Sequence, residues 1–342
     1  MTRDFWRTVA AQLNAGTPAF VTLVAAHTRG SPGTTGARML LRPDGSQLGT
    51  IGGGIMEQRL IAEAMAAFDA GEQAPQLQAL RHQRRDPATI GPGESGLICA
   101  GQQHNITLLL HPERDRAAPE RLAELEAEGG DGRLRIDAGG LHVENTAPDL
   151  AAPAATLHTG ANWCYREQLL RRQRVAIIGG GHCGRALSRT MASVGYHVTV
   201  FDKRAEVATF RDNADADRRV VVADYREAGA TLTWPSLTDV VVMTTDFQSD
   251  IRGLLGCVGH GFRFLGVMGS TAKIRAIDSA LAEAGVAPAE RAHIHAPIGL
   301  PMKSDTPEEI AISVTAQLLQ LARERHQTDK RLTAQTEAPA RP

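Results

Sequence analysis

The chain has 342 residues, of which 42% are hydrophobic and 22% are charged, a composition typical of globular proteins and a length that suits two domains. Its 37 lysines and arginines balance 38 aspartates and glutamates, which argues against a general attraction to nucleic acid or to an anionic membrane surface. The sequence contains no long uncharged segment, so we expect neither a signal peptide nor a membrane span.

The first 146 residues predict an α+β domain. Apolar residues at helical spacing predict a helix over residues 5–13, and the apolar run 19–26 predicts a buried strand. Residues 37–41 and 47–51 flank the turn-forming sequence Pro-Asp-Gly and therefore predict a β-hairpin.

A run of three glycines, Gly52-Gly53-Gly54, follows this hairpin and precedes an amphipathic helix that ends at Gly71. The backbone N–H groups of such a turn can bind an oxyanion. Glycine turns also simply let the chain pass close to a neighbouring segment, and the pattern leaves both interpretations open.

The four cysteines are widely separated and form no C-x-x-C pair, which favours free thiols in a reducing cytoplasm: Cys99, Cys164, Cys183 and Cys257. Cys99 lies at a glycine-flanked bend before a predicted strand over residues 104–110. A lone cysteine among apolar residues is usually a small buried hydrophobe, so a functional role remains an open alternative.

The middle of the chain predicts a helix at residues 120–126 and a hairpin formed by residues 133–136 and 141–144. An Ala/Pro/Thr-rich composition then predicts a linker over residues 147–170. We expect a second domain over residues 171–325.

A strand followed by regularly spaced glycines opens this second domain. The β-favouring residues Val175–Ile178 run into Gly179, Gly181 and Gly184, which have the G-x-G-x-x-G spacing. In this motif the glycines permit a tight turn, close approach of a phosphate, and packing of the next helix on the sheet. The helix then presents unpaired N–H groups and its positive dipole end to an anion.

The context of the glycines supports a Rossmann-type unit. A helical pattern over residues 186–194 ends at Gly195, and residues 197–201 predict a second strand that Asp202 follows directly. An acidic side chain at that position can accept hydrogen bonds from a ribose hydroxyl.

Three further strands are predicted over residues 220–223, 239–243 and 264–267, with helical stretches between them. This alternation predicts a doubly wound parallel sheet whose ligand lies outside the carboxyl ends of the strands. We expect the polar residues that follow these strands to converge at that edge: Thr244, Thr245, Asp246, Asp250, Gly269, Ser270 and Lys273.

The last predicted helix begins with a capping box, in which Thr306 is the N-cap, Pro307 the first helical residue and Glu309 the third. Apolar residues at helical spacing follow it. The polar composition of residues 326–342 predicts a disordered tail.

Several of these stretches together resemble one family, the XdhC/CoxI proteins, which are accessory factors of molybdenum hydroxylases such as xanthine dehydrogenase. The matches lie in both halves of the chain and in the family's order. In the first half they are Arg29-Gly-Ser-Pro32, Gly36-Ala-Arg-Met39 and Gly49-Thr-Ile-Gly-Gly-Gly54 with Glu57. In the second half they are Gly179–Gly184, Asp202-Lys-Arg204, Gly266–Ser270 with Lys273, Ala296–Leu300 and Thr306–Ile310.

This resemblance implies a maturation factor and not a catalyst. Such a protein binds molybdenum cofactor, protects it while its terminal sulfido ligand is installed, and helps to insert it into the apo-hydroxylase. The implied partners are the large, cofactor-binding subunit of a xanthine dehydrogenase-type enzyme and a sulfurtransferase of the cysteine desulfurase type. The resemblance also implies a homodimer.

Molybdopterin carries a phosphate and its dinucleotide form a pyrophosphate, which suit glycine turns and cationic side chains. Our hypothesis places the cofactor between the domains, with phosphate at one turn and the metal near Cys99, whose thiolate is a suitable soft ligand for molybdenum. The candidate cofactor-binding residues are Arg38, Gly52, Gly53, Gly54, Glu57, Cys99, Gly179, Gly181, His182, Gly184, Asp202, Arg204, Gly269, Ser270 and Lys273.

Two alternatives use the same Rossmann unit. An NAD(P)-dependent oxidoreductase needs a placed acid or base, yet the sequence has no Tyr-x-x-x-Lys pair, and His182 is equally suited to hydrogen bonding at the helix end. Asp202 suits the free ribose of NAD, whereas Lys203 and Arg204 suit the 2′-phosphate of NADP. A non-catalytic sensor would bind NAD or NADP without turnover.

Overall fold

The computed structural model describes residues 4–82, 101–128, 131–170 and 173–336. The chain divides into two compact units, Met1–Leu170 (unit 1) and Arg171–Pro342 (unit 2). Among the helices that the structure describes, none is long and apolar enough to cross a membrane.

Unit 1 contains a five-stranded antiparallel sheet with the order β3-β2-β1-β5-β4. Its strands are β1 (Ala19–His27), β2 (Arg38–Leu41), β3 (Gln47–Gly49), β4 (Gln76–His82) and β5 (Gly101–Leu110). The predicted hairpin over residues 37–51 is confirmed, since β2 and β3 pair in antiparallel register.

The two faces of this sheet bury different cores. The helix α2 (Ile55–Ala70) covers one face, where it packs against Phe20, Val24 and Met39. The helices α1 (Phe5–Asn14) and α3 (Ala117–Glu128) share the other core with Val21 and Leu23. Alternate strand residues therefore face opposite cores, as the pleat of a β-strand requires.

A second, four-stranded antiparallel sheet corrects the predicted linker. Its strands are β6 (Arg133–Asp137), β7 (Gly140–Glu144), β8 (Ala155–His158) and β9 (Cys164–Gln168), in the order β7-β6-β9-β8. Residues 155–168, expected to connect two domains, instead pair with the predicted 133–144 hairpin. Their Ala/Thr-rich composition hid the pairing, because a strand is stabilised by cross-strand contacts that composition does not report.

Unit 2 confirms the predicted parallel sheet. The strands are β10 (Arg174–Ile178), β11 (His197–Asp202), β12 (Arg218–Val221), β13 (Thr238–Val242), β14 (Phe264–Val267) and β15 (Ile294–His295). Their order is β12-β11-β10-β13-β14-β15 and all neighbours are parallel. The order reverses direction between β10 and β13, which creates the switch point where Rossmann folds bind ligands.

Helices cover both faces of this sheet. Its main helices are α4 (His182–Ser193), α6 (Phe247–Leu255), α7 (Thr271–Glu283) and α9 (Pro307–Thr336), with the short α5 (Ala208–Arg211) and α8 (Pro288–Ala292). Helices α4 and α9 share one core, whereas α7 and the end of α6 share the other. Helix α9 continues to Thr336, so its backbone is helical over the first part of the segment 326–342 for which a disordered tail is predicted.

Candidate functional site

The loop Gly179–Gly184 (the glycine loop) connects β10 to α4 at the carboxyl edge of the unit 2 sheet. Gly179 has a φ of +118°, and a Cβ atom there would lie 2.4 Å from the carbonyl oxygen of Met243. A Cβ atom on Gly184 would lie 2.0 Å from the carbonyl oxygen of Gly179. Both positions therefore require glycine because backbone approaches backbone there.

Gly181 differs from these two glycines because open space surrounds it. A Cβ atom at Gly181 would meet nothing within 4 Å, and its φ of −72° is accessible to any residue. Gly181 is the N-cap of α4, which has no side-chain cap hydrogen bond and no acidic residue in its first turn. By contrast, side-chain oxygens of Asp246, Ser270 and Thr306 accept N–H groups at the starts of α6, α7 and α9. The amides at the start of α4 therefore lack the side-chain caps found at the other long helices of unit 2.

Asp202, the predicted ribose ligand, is fully buried and bonded within the protein. Its Oδ2 accepts the N–H of Gly180 at 2.8 Å and a guanidinium N–H of Arg204 at 3.0 Å. Its Oδ1 accepts the backbone N–H of Arg204 at 3.0 Å and the Nε of Arg204 at 2.9 Å. Burial alone would raise the pKa of Asp202, but these hydrogen bonds outweigh it and hold the pKa below its ordinary value.

The carboxylate of Asp202 thus ties the glycine loop to the end of β11. With four hydrogen bonds to protein donors and no exposed surface, it has no room to accept the two hydroxyls of a ribose. The side chain of Arg204 is 38% exposed at the same edge, and the ion pair with Asp202 balances its charge. The ammonium of Lys203 lies 5.3 Å from the centre of the Tyr225 ring.

Lys273 is also paired within the protein. It forms an ion pair with Oδ2 of Asp250, a fully buried carboxylate at the start of α6. Oδ1 of Asp250 accepts the backbone N–H and the hydroxyl of Thr244, at 2.9 and 2.6 Å. The loop after β13 and the start of α7 are thereby joined. Ser270 caps α7, and a Cβ atom on Gly269 would lie 3.0 Å from the Lys273 side chain.

The two side chains inside the glycine loop differ in exposure. His182 is exposed at the first position of α4 and makes no cap hydrogen bond. Cys183 is a half-buried free thiol. Burial, followed by the nearby carboxylate of Glu308, raises the pKa of Cys183, so this thiol is protonated near neutral pH.

The glycine run Gly52–Gly54 in unit 1 has its own internal anion. Oε1 of Glu57 accepts the N–H groups of Ile51 and Gly53, each at 2.9 Å, and the hydroxyl of Thr50 at 2.6 Å. Burial would raise the pKa of Glu57, but these hydrogen bonds prevail and lower it. A carboxylate of the chain itself therefore accepts two of the backbone N–H groups at this turn.

A buried amide side chain connects the two loops of unit 1 that carry the family signatures. Oε1 of Gln103 accepts the hydroxyl of Ser31 at 2.9 Å and the N–H of Gly33 at 3.1 Å. Its Nε2 donates to the carbonyl oxygen of Ile51 at 3.0 Å and to Oδ1 of Asn105 at 2.8 Å. Gln103 and Asn105 are both fully buried, so this network fixes the loops relative to each other.

Arg38, a predicted phosphate ligand, lies on the face of the unit 1 sheet that α1 and α3 cover, opposite the face that α2 covers. It pairs in register with Leu23, whose side chain packs with α1 and α3. Its guanidinium donates to Glu167 at 2.8 Å and to Glu126 at 3.3 Å, and its side chain is 4% exposed. These carboxylates outweigh the effect of burial and raise the pKa of Arg38. The guanidinium therefore stabilises the interior of unit 1.

Cys99 lies outside the described residues, and its role as a soft ligand stays a prediction. Among the residues that the structure does describe, no three histidine, cysteine or acidic side chains form a group suited to a metal ion.

Sequence reasoning missed Gln103, Asn105 and Gly180 as residues that position these loops. The alternation of Gln103, Asn105 and Thr107 along the strand was an available signal, because it places three polar side chains on one face. No comparable signal marked Gly180. Its N–H reaches the carboxylate of Asp202 only because the folded turn brings the two groups together.

Comparisons with known proteins agree with this architecture. A model described as the XdhC and CoxI family matches residues 12–81, and one described as the XdhC Rossmann domain matches residues 175–318. The uncharacterized protein YqeB of Escherichia coli K12 is 25% identical over 318 residues, which are 92% of this chain and 46% of that protein. The chain thus spans about half the length of this relative.

Two further relatives match most of their own length. A probable xanthine dehydrogenase subunit of Bacillus subtilis 168 is 22% identical over 83% of this chain and 87% of that protein. A crystal structure of a xanthine dehydrogenase from Bacillus halodurans superimposes with a TM-score of 0.69 at 23% identity, covering 95% of this chain and 96% of that one. This likeness establishes a shared fold.

Proposed function

The chain belongs to the XdhC and CoxI family, and from this membership we propose that it is an accessory protein in the maturation of a xanthine dehydrogenase-type molybdenum hydroxylase. Its proposed cargo is molybdenum cofactor, as molybdopterin or its dinucleotide form. The protein would protect this cargo during sulfuration by a cysteine desulfurase-type sulfurtransferase and then help to insert it into the large subunit of the target enzyme. The bound cofactor would supply oxidation–reduction chemistry to the target enzyme, after its insertion there.

The observation that carries the proposal is the uncapped start of α4. Gly181 leaves open space beside this helix terminus, and the first turn contains no acidic residue. Phosphate carries negative charge and several acceptor oxygens, so it suits N–H groups at the positive end of a helix. The residues present at the glycine loop therefore fit the phosphate of the proposed cargo.

Each neighbouring residue has a separate task in this proposal. Asp202 holds the amide of Gly180 and so fixes the loop in the shape that leaves Gly181 open. Arg204, whose charge Asp202 balances, offers the exposed part of its guanidinium at the same sheet edge as a hydrogen-bond donor. Lys273 acts at a distance, because its ion pair with Asp250 positions the loop after β13. The proposal needs no catalytic group from this chain.

The state of Asp202 also weighs against an NAD-dependent oxidoreductase. Such an enzyme uses the acid at the end of its second strand to accept ribose hydroxyls. Here that carboxylate is fully buried and bonded to protein donors. A nucleotide sensor remains the second candidate, because the Rossmann architecture and Arg204 suit a phosphorylated ribose.

The test is retention of cofactor by the full chain purified from cells that make molybdenum cofactor. We expect stoichiometric molybdenum and pterin fluorescence after oxidation. The variant Gly181→Leu should retain at least tenfold less pterin, because a bulky side chain there blocks the approach of phosphate. The matched control is Ser193→Leu, which adds the same bulk at the exposed last residue of α4.

Two results would contradict the proposal. One is a wild-type protein that carries neither pterin nor molybdenum, and the other is equal retention by Gly181→Leu and wild type. Thermal shifts with NAD and NADP on the same samples test the nucleotide sensor, which predicts stabilisation by a dinucleotide and no pterin.

A further inference from the structure

A second concave site lies in unit 2 at the amino edge of the parallel sheet, whereas the glycine loop lies at the carboxyl edge. The cavity has a volume of about 490 Å³. It is formed by the loop that follows α6, the start of β14, and the segment that connects α8 to β15. This volume is within the range of small-molecule binding sites.

Aromatic rings form part of its wall. Phe264 stacks on His295 with ring centres 4.3 Å apart and planes inclined by 20°. Phe262 stacks on His260, with centres 5.7 Å apart and planes inclined by 26°. Phe262, Phe264 and His295 line the cavity; Phe264 is only 3% exposed, so the aromatic surfaces open to a ligand belong to Phe262 and His295. Such surfaces favour a planar ligand, which stacks on them in offset geometry.

Another wall contains Arg263, whose side chain is held in place by hydrogen bonds. Arg263 donates from Nε to Oδ1 of the buried Asp239 at 2.7 Å, and from Nη2 to Oδ2 at 2.5 Å. Arg325 of α9 donates to the carbonyl oxygen of Arg263 at 3.0 Å, which fixes this segment from the other side. Arg325 also forms an ion pair with Asp239, at 3.8 Å, so two guanidinium groups share one carboxylate and this side of the cavity carries net positive charge.

The carboxylate among the lining residues belongs to Glu290, whose side chain is exposed. Its Oε2 accepts the backbone N–H of Ala287 at 3.3 Å, which orients the side chain. Its Oε1 has no hydrogen-bond partner in the described part of the chain. This oxygen lies near Gly259, another residue of the cavity lining, 3.8 Å from where a Cβ atom on that glycine would be. This oxygen is available to accept N–H groups of a ligand.

The geometry points to a binding site for a planar nitrogen heterocycle that presents two adjacent N–H donors, the 2-amino-4-oxo pyrimidine ring shared by guanine and the pterins. The aromatic walls stack on the ring, and the Glu290 carboxylate accepts the ring N–H and the exocyclic amino group. Adenine places a ring acceptor beside its amino group, so the same carboxylate would face a lone pair. This site is separate from the glycine loop, and the inference does not rest on the proposed function.

Calorimetric titration of the full chain with guanosine, pterin and adenosine tests the inference. We expect guanosine or pterin to bind at least tenfold more tightly than adenosine, and the stronger of the two identifies the natural source of the ring. Glu290→Gln should weaken that binding at least tenfold, because the amide replaces one acceptor by a donor. Glu283→Gln, at an exposed position of α7, should bind like wild type.

Phe262→Leu provides a second readout, since it keeps apolar bulk but removes the stacking surface, and circular dichroism checks that each variant is folded. Equal affinity for adenosine, no effect of Glu290→Gln, or no measurable binding of guanosine and pterin would each overturn the inference. Gly181→Leu should leave this binding unchanged, so failure here and failure of the proposed cofactor retention are distinguishable.

Discussion

The two glycine-rich turns of this chain look alike in sequence but differ in charge. Each follows a β-strand and leads into a helix, α2 in unit 1 and α4 in unit 2. In unit 1 the carboxylate of Glu57 accepts amides of the turn, and Glu57 is an acidic residue in the first turn of α2. The first turn of α4 has no acidic residue, and the space beside Gly181 is open.

The difference shows that glycine spacing alone does not identify an anion site. Glycines shape the backbone, but the partner of the exposed amides decides whether a ligand is needed. In unit 1 the chain supplies that partner three residues after the last glycine. In unit 2 the internal carboxylate, Asp202, takes only the amide of Gly180 from the glycine loop. Substitutions in both turns can test this contrast.

The largest effect is expected from Gly184→Ala. Its methyl group would lie 2.0 Å from the carbonyl oxygen of Gly179, so strand and helix must separate. We expect a loss of about 3 kcal/mol in the free energy of unfolding, the upper end for overpacking. Gly181→Ala is the matched control and should lose less than about 1 kcal/mol, because that position is open. Urea unfolding followed by circular dichroism measures both, and equal losses would refute the distinction.

Asp202→Asn should destabilise unit 2 by about 2 kcal/mol at neutral pH, since an amide cannot satisfy the donors of Gly180 and Arg204 together. The pKa of Asp202 is lowered in the folded protein, so its stabilisation is complete above the unfolded pKa of about 3.9 and is lost as pH falls through the folded value. The stability difference between wild type and variant should therefore shrink below about pH 4. A difference that is constant from pH 7 to pH 3 would contradict this.

Glu57→Gln should cost unit 1 about 1 kcal/mol, because the amide oxygen keeps some of the hydrogen bonds that the carboxylate made. Hydrogen exchange of the Ile51 and Gly53 amides should become faster. Pterin retention should not change, since this turn is already closed by the protein. Glu72→Gln, exposed after the end of α2, serves as the control. If Glu57→Gln lost pterin and Glu72→Gln did not, the result would show that this turn takes part in binding the cofactor.

The smallest expected effect is a gain. Gly181→Asp would place a carboxylate at the N-cap of α4 and convert it into a turn of the α2 kind. We expect thermal unfolding to show a stabilisation of about 0.5–1 kcal/mol, because Asp is a better cap than Gly and complements the helix dipole. Pterin retention should fall at the same time. Gly181→Asn, an uncharged cap, separates the two effects: it should stabilise the helix and retain more pterin than Gly181→Asp.

Much of the fold was predictable because its signals are local. The strand–glycine–helix–strand order of residues 175–202, the hairpins of unit 1 and the capping box of α9 all depend on residues close together in the chain. Strand β9 was missed because its partner β6 lies outside the segment, and β8 was missed because it pairs only with β9 in this sheet. Strand β15 is only two residues long. Helix α9 extends eleven residues, 326–336, into the segment for which a tail was predicted.

The candidate site was predicted less well, because side-chain partners are a property of the folded chain. Arg38 is cationic in any sequence, yet its partner Glu167 lies 129 residues away and holds it in the interior. Lys273 likewise meets a buried carboxylate, Asp250, which belongs to the preceding helix. A cationic residue in a motif is available to a ligand only if no internal acid reaches it first.

The amino-acid sequence by itself determined the order of elements, the Rossmann-type unit and the family, because strand and helix periodicities, glycine spacing and caps are written in neighbouring residues. Tertiary structure alone decided which amides and charges remain for a ligand. Glu57 accepts amides of one turn, Asp202 is bonded to the glycine loop and not free for the ribose it was expected to bind, and Gly181 faces open space. The physical reason is that each buried polar group must find a partner, and folding determines which ones come within reach.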